Sequence, residues 1–192
     1  IRLMTGDRTE SDLERGYGIF KSLAESGDAR AQFFLGTSYM QGSGVELDET
    51  IAVNWFKKSA EGGYDIGQYW YAFMLSRGRG VPEEDWKASM KWFLKAANQG
   101  SLVAQNYIGF IYEHGNGVPQ NYILSREWYE KAAKGGNTTS QYVLGVFYKN
   151  GKGVIPNNIQ AYIWFALASL GESATAEESR KLRNELAQKM SP

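Results

Sequence analysis

Residues 113–136 read EHGNGVPQNYILSREWYEKAAKGG. Gly115 and Gly117 stand just ahead of Pro119, Trp128 and Tyr129 follow, and Gly135-Gly136 closes the stretch. A glycine-rich loop that feeds a helix can cradle phosphate, but the same residues can also punctuate a structural unit. Shifting the chain against itself decides between the two. The double-glycine turn recurs as QGSGV (41–45), RGRGV (77–81), HGNGV (114–118) and NGKGV (150–154), at offsets of 36, 37 and 36 residues. A motif repeated at a fixed period is punctuation, and periods of 20–50 residues mark arrays of small stacked units.

Other positions keep the same register. Trp55, Trp92, Trp128 and Trp164 are each preceded seven residues earlier by Asp48, Asp85, Asn121 or Asn157. Gln32, Gln68, Gln105 and Gln141 open successive units. The one extra residue lies in VPEED, a loop, where insertions cost little. At the N-terminal end, Gly6, Asp12 and Gly27 lie 36 residues before Gly42, Asp48 and Gly63. On that register Leu3 and Met4 match Tyr39 and Met40, so the chain opens near the end of a helix. Further sequence is expected upstream of Ile1, and LAQKMSP (186–192) reads as the start of a longer tail.

Each unit reads as two helices. Helix A is expected at 29–41, 65–77, 102–114 and 138–150, and helix B at 12–26, 49–61, 86–98, 122–134 and 158–170. The recurring Asp or Asn suits the N-cap, where its side chain accepts from free first-turn amides. Glycines 27, 63, 100, 136 and 171 suit the left-handed residue after a helix. At about 100° per residue, one side of helix A collects Ala31, Gln32, Leu35, Gly36 and Tyr39, then Gly67, Gln68, Tyr71, Ala72 and Leu75. The third and fourth units give Ala104, Gln105, Ile108, Gly109 and Tyr112, then Ser140, Gln141, Leu144, Gly145 and Tyr148. Small residues in the first and fourth places predict a seam where successive hairpins nest, with the helix B tryptophan locking one pair onto the next. One pair cannot bury such a seam alone, so pairs must stack.

The spaced pattern A-Q-x-x-L-G-x-x-Y-x-x-G-x-G-V, then D/N-x-x-x-A-x-x-W-[FY]-x-K-A-A-x-x-G, resembles the Sel-one-like repeat, a relative of the tetratricopeptide repeat. The resemblance covers about residues 3–171. It implies an all-α fold, an α/α solenoid of helix-turn-helix repeats wound as a right-handed superhelix, with the A helices lining a concave surface. It also implies an adaptor that holds protein partners, without catalysis, in a bacterial protein either cytoplasmic or exported. The domain reading is a half unit over 1–28, full units at 29–63, 64–100, 101–136 and 137–171, and a capping helix over 172–192. That last segment is polar, with Leu182, Leu186 and Met190 at four-residue spacing. Some cysteine-rich family members are described as β-lactam binding, and this chain departs from them in having no cysteine.

The composition narrows the function classes. Lys+Arg and Asp+Glu number 21 each, so the basic excess that drives nucleic-acid binding is absent. Without cysteine there are no disulfides, thiolate metal sites or cysteine nucleophile. No apolar run approaches a membrane span. GVFYKNGKG (145–153) fails as a phosphate loop, because Gly rather than Ser or Thr follows Lys152. His114, the one histidine, precedes a turn and reads as an exposed polar residue rather than a base or ligand. Asn137-Thr138-Thr139 is read as a chance glycosylation match. No Ser-x-x-Lys or Lys-Thr-Gly supports serine β-lactam chemistry. No cofactor and no metal are expected.

The side of helix A opposite the seam is the candidate binding face. It comprises Phe33, Thr37, Met40 and Gln41, then Tyr69, Phe73, Ser76 and Arg77. The later units supply Asn106, Phe110, Glu113 and His114, then Tyr142, Val146, Lys149 and Asn150. An apolar stripe with a polar rim suits capture of a peptide or helix. The competing readings are aromatics that only fill a curled inner surface, a hydrolase or β-lactam binder, and a structural spacer. The expected state is a monomer, or weak association through exposed terminal helix faces.

Overall fold

A computed structural model describes residues 10–190, with side chains from Arg15 onward. The register matches at Leu3, Met4, Gly6 and Asp12 lie outside the described side chains. The described residues form ten helices and no strand. They divide into two compact units, Ile1–Gln99 and Gly100–Pro192.

The first unit holds α1 (Glu10–Glu25), α2 (Ala29–Gln41), α3 (Glu49–Glu61), α4 (Asp65–Ser76) and α5 (Trp86–Asn98). The second holds α6 (Leu102–His114), α7 (Tyr122–Lys134), α8 (Thr138–Asn150), α9 (Asn158–Ala168) and α10 (Ala174–Met190). The A/B hairpins are α2/α3 and α4/α5 in one unit, α6/α7 and α8/α9 in the other. The bounds fall on the expected spans to within two residues.

The caps explain why the helices begin where they do. Asp48, Asp85, Asn121 and Asn157 each accept from first-turn amides of the helix B that follows. Asp28, Ser101 and Asn137 do the same for helix A, which leaves the Asn137 side chain a structural task. Gly27, Gly63, Gly100 and Gly136 have positive φ as expected. Gly171 does not: α9 ends at Ala168 with Ser169 as its right-handed cap, so that helix stops before the glycine.

The two glycines of each turn do different work. The first, at Gly42, Gly115 and Gly151, takes the left-handed C-cap conformation. The second, at Gly80 and Gly153, approaches the backbone of the preceding hairpin. A Cβ on Gly80 would collide with the Glu49 carbonyl, and one on Gly153 would lie 2.5 Å from the Tyr122 carbonyl oxygen. The basic residue between the glycines reaches the same place. Arg79 donates to Glu49, and Lys152 lies 5.6 Å from the Tyr122 ring centre.

The seam is buried, but its parts act differently from the expectation. The fourth-place small residue admits an aromatic ring of its own hairpin. A Cβ would lie 2.8 Å from Phe56 at Gly36, 2.8 Å from Tyr129 at Gly109 and 2.5 Å from Phe165 at Gly145. Of the two small places, the first is the one that meets the preceding helix B within a unit. Gly67 of α4 faces Ser59 of α3, and Ala31 of α2 packs with Ala24 of α1. The recurring glutamine adds a polar tie there. Gln32, Gln68 and Gln141 donate to the carbonyls of Ala24, Ala60 and Ala133 in the preceding helix B.

The tryptophan is not the main lock either. The ring after it is the core residue: Phe56, Phe93 and Phe165 are fully buried and Tyr129 nearly so. Trp55, Trp92 and Trp128 are half-buried, with Lys58, Lys95 and Lys131 seated 4.0, 3.9 and 3.9 Å from their ring centres. Beyond the last hairpin, α10 packs Leu186 against Ala161 and Phe165 of α9, while Leu182 is half-buried and Met190 exposed.

Candidate peptide-binding face

The seam residues fix how each A helix is rotated, and this rotation turns the opposite side toward the candidate face. Of the sixteen residues expected on this face, Ser76 alone is fully buried, its hydroxyl turned back to the Phe73 carbonyl, and Gln41 and Asn150 are exposed. Arg77 and His114 are exposed, and Phe33, Thr37, Met40, Tyr69, Phe73, Asn106, Phe110, Glu113, Tyr142, Val146 and Lys149 are half-buried.

In the first unit the aromatics form one connected group. Phe33 lies 5.8 Å from Phe56, Phe56 stacks at 5.9 Å on Trp70, Trp70 meets Phe73 edge-on at 5.6 Å, and Phe73 stacks on Tyr69 at 6.3 Å. Aromatic pairs in such offset or edge geometries attract beyond simple area burial. The Arg77 guanidinium is 5.7 Å from the Phe73 ring centre, and Thr37 donates to the Phe33 carbonyl. Met40 packs on the cluster of Ala52, Val53, Phe56 and Met74. Trp70 belongs to this group although it lies outside the face expected from helical periodicity. It adjoins Tyr69, and its register equivalents are Phe34, Tyr107 and Val143.

In the second unit the polar candidates are engaged within the fold. Asn106 donates to Ser140 at 2.7 Å. Glu113 accepts from the Tyr129 hydroxyl at 3.0 Å and pairs with Lys152 at 3.1 Å. Burial and the Glu113 charge together push the Tyr129 phenol far above its ordinary pKa. Lys149 lies 3.9 Å from Glu185 of α10. The His114 ring lies 4.2 Å from the Phe110 ring, tilted by 33°, with Nδ1 3.0 Å from the Phe110 carbonyl oxygen. Phe110 packs against the cluster around Tyr129 and Phe147, whereas Tyr142 and Val146 pack against Phe165 and Leu186. The structure thus brings Phe110 and His114 together and sends Glu113 inward to Tyr129.

No cluster of three or more His, Asp or Glu able to hold a metal occurs among the described residues, and no described helix is long and apolar enough to cross a membrane.

The Sel1 repeat description matches residues 29–64, 66–101, 102–137 and 138–172. The chain belongs to the Sel1 repeat family. A Sel1 repeat protein from Oxalobacter formigenes superimposes with a TM-score of 0.82 at 26% identity, over 94% of this chain and 80% of that one. A protective antigen of uropathogenic Escherichia coli with an SLR fold gives 0.78 at 30% identity, over 90% of this chain and 41% of that one. An F-box protein of Arabidopsis thaliana is 37% identical over 70 residues, which are 36% of this chain and 19% of its own length. Sel1 repeat proteins are generally non-catalytic scaffolds for protein interaction. The all-helical hairpin arrangement matches the solenoids of these Sel1 structures.

Proposed function

We propose that this Sel1 repeat chain is a non-catalytic adaptor that binds a peptide or protein segment along the seam-opposed faces of its A helices. The aromatic group of the first unit carries the reading. Phe33, Tyr69, Trp70 and Phe73 stay half-buried beside a fully buried core. Rings held by their neighbours on one side lose little freedom when a partner covers the other, and buried aromatics supply most contact energy at interfaces. Arg77 over Phe73 contributes a charged rim. Phe110, with the His114 ring beside it, plays the corresponding part in the second unit.

The test is affinity capture with mass spectrometry, comparing the natural chain with the double variant Phe73→Ala, Phe110→Ala. The expected result is loss of the captured protein with helix content unchanged by circular dichroism. Retention of the same partner by a folded double variant would refute the reading.

A further inference from the structure

The four B helices that follow a double-glycine turn occupy equivalent positions, so their outward faces can be compared residue by residue. On α3 that face reads Thr50, Asn54, Lys58 and Glu61, and on α5 Lys87, Lys91, Lys95 and Asn98. On α7 it reads Ile123, Glu127, Lys131 and Lys134. In the last repeat the same four places hold Ile159, Ile163, Leu167 and Leu170. They are 64%, 43%, 42% and 83% exposed, and Ile155, four residues ahead of Ile159, is 84% exposed. The other side of α9 is already used, since Ala161, Phe165 and Ala168 are fully buried. A helix that is apolar all round is normally covered all round. Here a run of aliphatic side chains, spaced mainly by four residues, faces solvent where three sister helices present mainly charged and polar ones.

We propose that this face of α9 is a two-fold interface that binds the same face of a second copy of the chain. The pattern is centred on Ile163. A two-fold axis passing there sets Ile159 against Leu167 of a second copy, which is the reciprocity a symmetric dimer requires, while Ile155 and Leu170 flank the two ends of the helix. Residues in an i, i+4, i+8 row form a ridge that interdigitates with its own copy at a crossing angle of about −50°. Charge agrees. A two-fold axis confronts a charge lying on it with its own sign, and α9 contains no Asp, Glu, Lys or Arg. Area agrees as well. The five side chains expose roughly 600 Å², so two copies together remove about 1,200 Å², the lower edge of what specific interfaces bury. A membrane surface fits less well, because helices lying in that interface carry Lys or Arg along their polar flank.

The experiment is sedimentation equilibrium on the 192-residue chain over roughly 1–100 µM, which covers micromolar dissociation constants. A monomer–dimer equilibrium is expected. Ile163→Lys should weaken it about 100-fold by placing like charges on the axis. This variant should fold, because the equivalent positions already hold Asn54, Lys91 and Glu127. The chain has no cysteine, so Ile163→Cys gives a single thiol that should cross-link to its own copy under mild oxidation. Glu127→Cys should not. A chain monomeric throughout, a dimer indifferent to Ile163→Lys, or equally fast cross-linking at residue 127 would each overturn the proposal. So would flotation with phosphatidylcholine vesicles that Ile163→Lys abolishes.

Discussion

Gly109 and Tyr129 compete for the same space: a Cβ on the glycine would lie 2.8 Å from the tyrosine Cδ1. In an exposed helix interior, replacing glycine by alanine stabilises by about 1 kcal/mol. Here the sign reverses. The added methyl group must displace a ring whose hydroxyl is tied to Glu113, and overpacking of this kind costs about 1–3 kcal/mol. Gly109→Ala is therefore expected to lower the urea midpoint without changing its slope.

Gly18 supplies the contrasting case. It lies within α1, and a Cβ there meets nothing within 4 Å. Gly18→Ala should raise stability by about 0.5–1 kcal/mol through propensity alone. The pair of alanine variants, measured in one denaturation series, should move in opposite directions.

The Trp-Phe dipeptide predicts unequal costs. Phe56 is fully buried against Gly36, whereas Trp55 is half-buried with Lys58 over its ring. Phe56→Ala is expected to cost about 3–5 kcal/mol. Lys58→Ala, which removes an exposed cation–π contact, should cost at most about 1 kcal/mol. Thermal melts of the two variants would check the ranking.

Arg79 hydrogen bonds to Glu49 and holds its carboxyl below the ordinary value of 4.5. A carboxylate whose pKa falls on folding adds stability above its unfolded value and loses it as pH drops through the folded value. Glu49→Gln should accordingly melt below the natural chain at pH 7. That gap should close as the pH falls below about 4. A gap unchanged down to pH 2.5 would show that the ion pair is not its source.

The sequence disclosed the helices because their boundaries rest on local chemistry. Asp48, Asp85, Asn121 and Asn157 cap within their own turns, and Gly63 or Gly100 acts on its own φ. Direction across the interior was harder to read. Periodicity placed Gly36 on a packed side, but it could not say whether Phe56 of the same hairpin or a residue of the next one filled the gap. Size favoured Trp55 over Phe56, yet the one-residue step between them is a turn of about 100°, and that turn sends the smaller ring inward. The polar rim misled for a related reason. Glu113 looks like a surface carboxylate until Tyr129 and Lys152, distant in sequence, are brought to it.

Within each unit the second glycine of one turn abuts the backbone of the hairpin before it, at Glu49 for Gly80 and at Tyr122 for Gly153. Adding or removing one whole period reproduces every such junction, whereas an insertion of intermediate length would pull one apart. The single surplus residue is tolerated because it falls in the exposed stretch around Pro82–Asp85, after the junction has been made. Outside that exposed loop, length can therefore change only in quantised steps, by copying hairpins and not by stretching them.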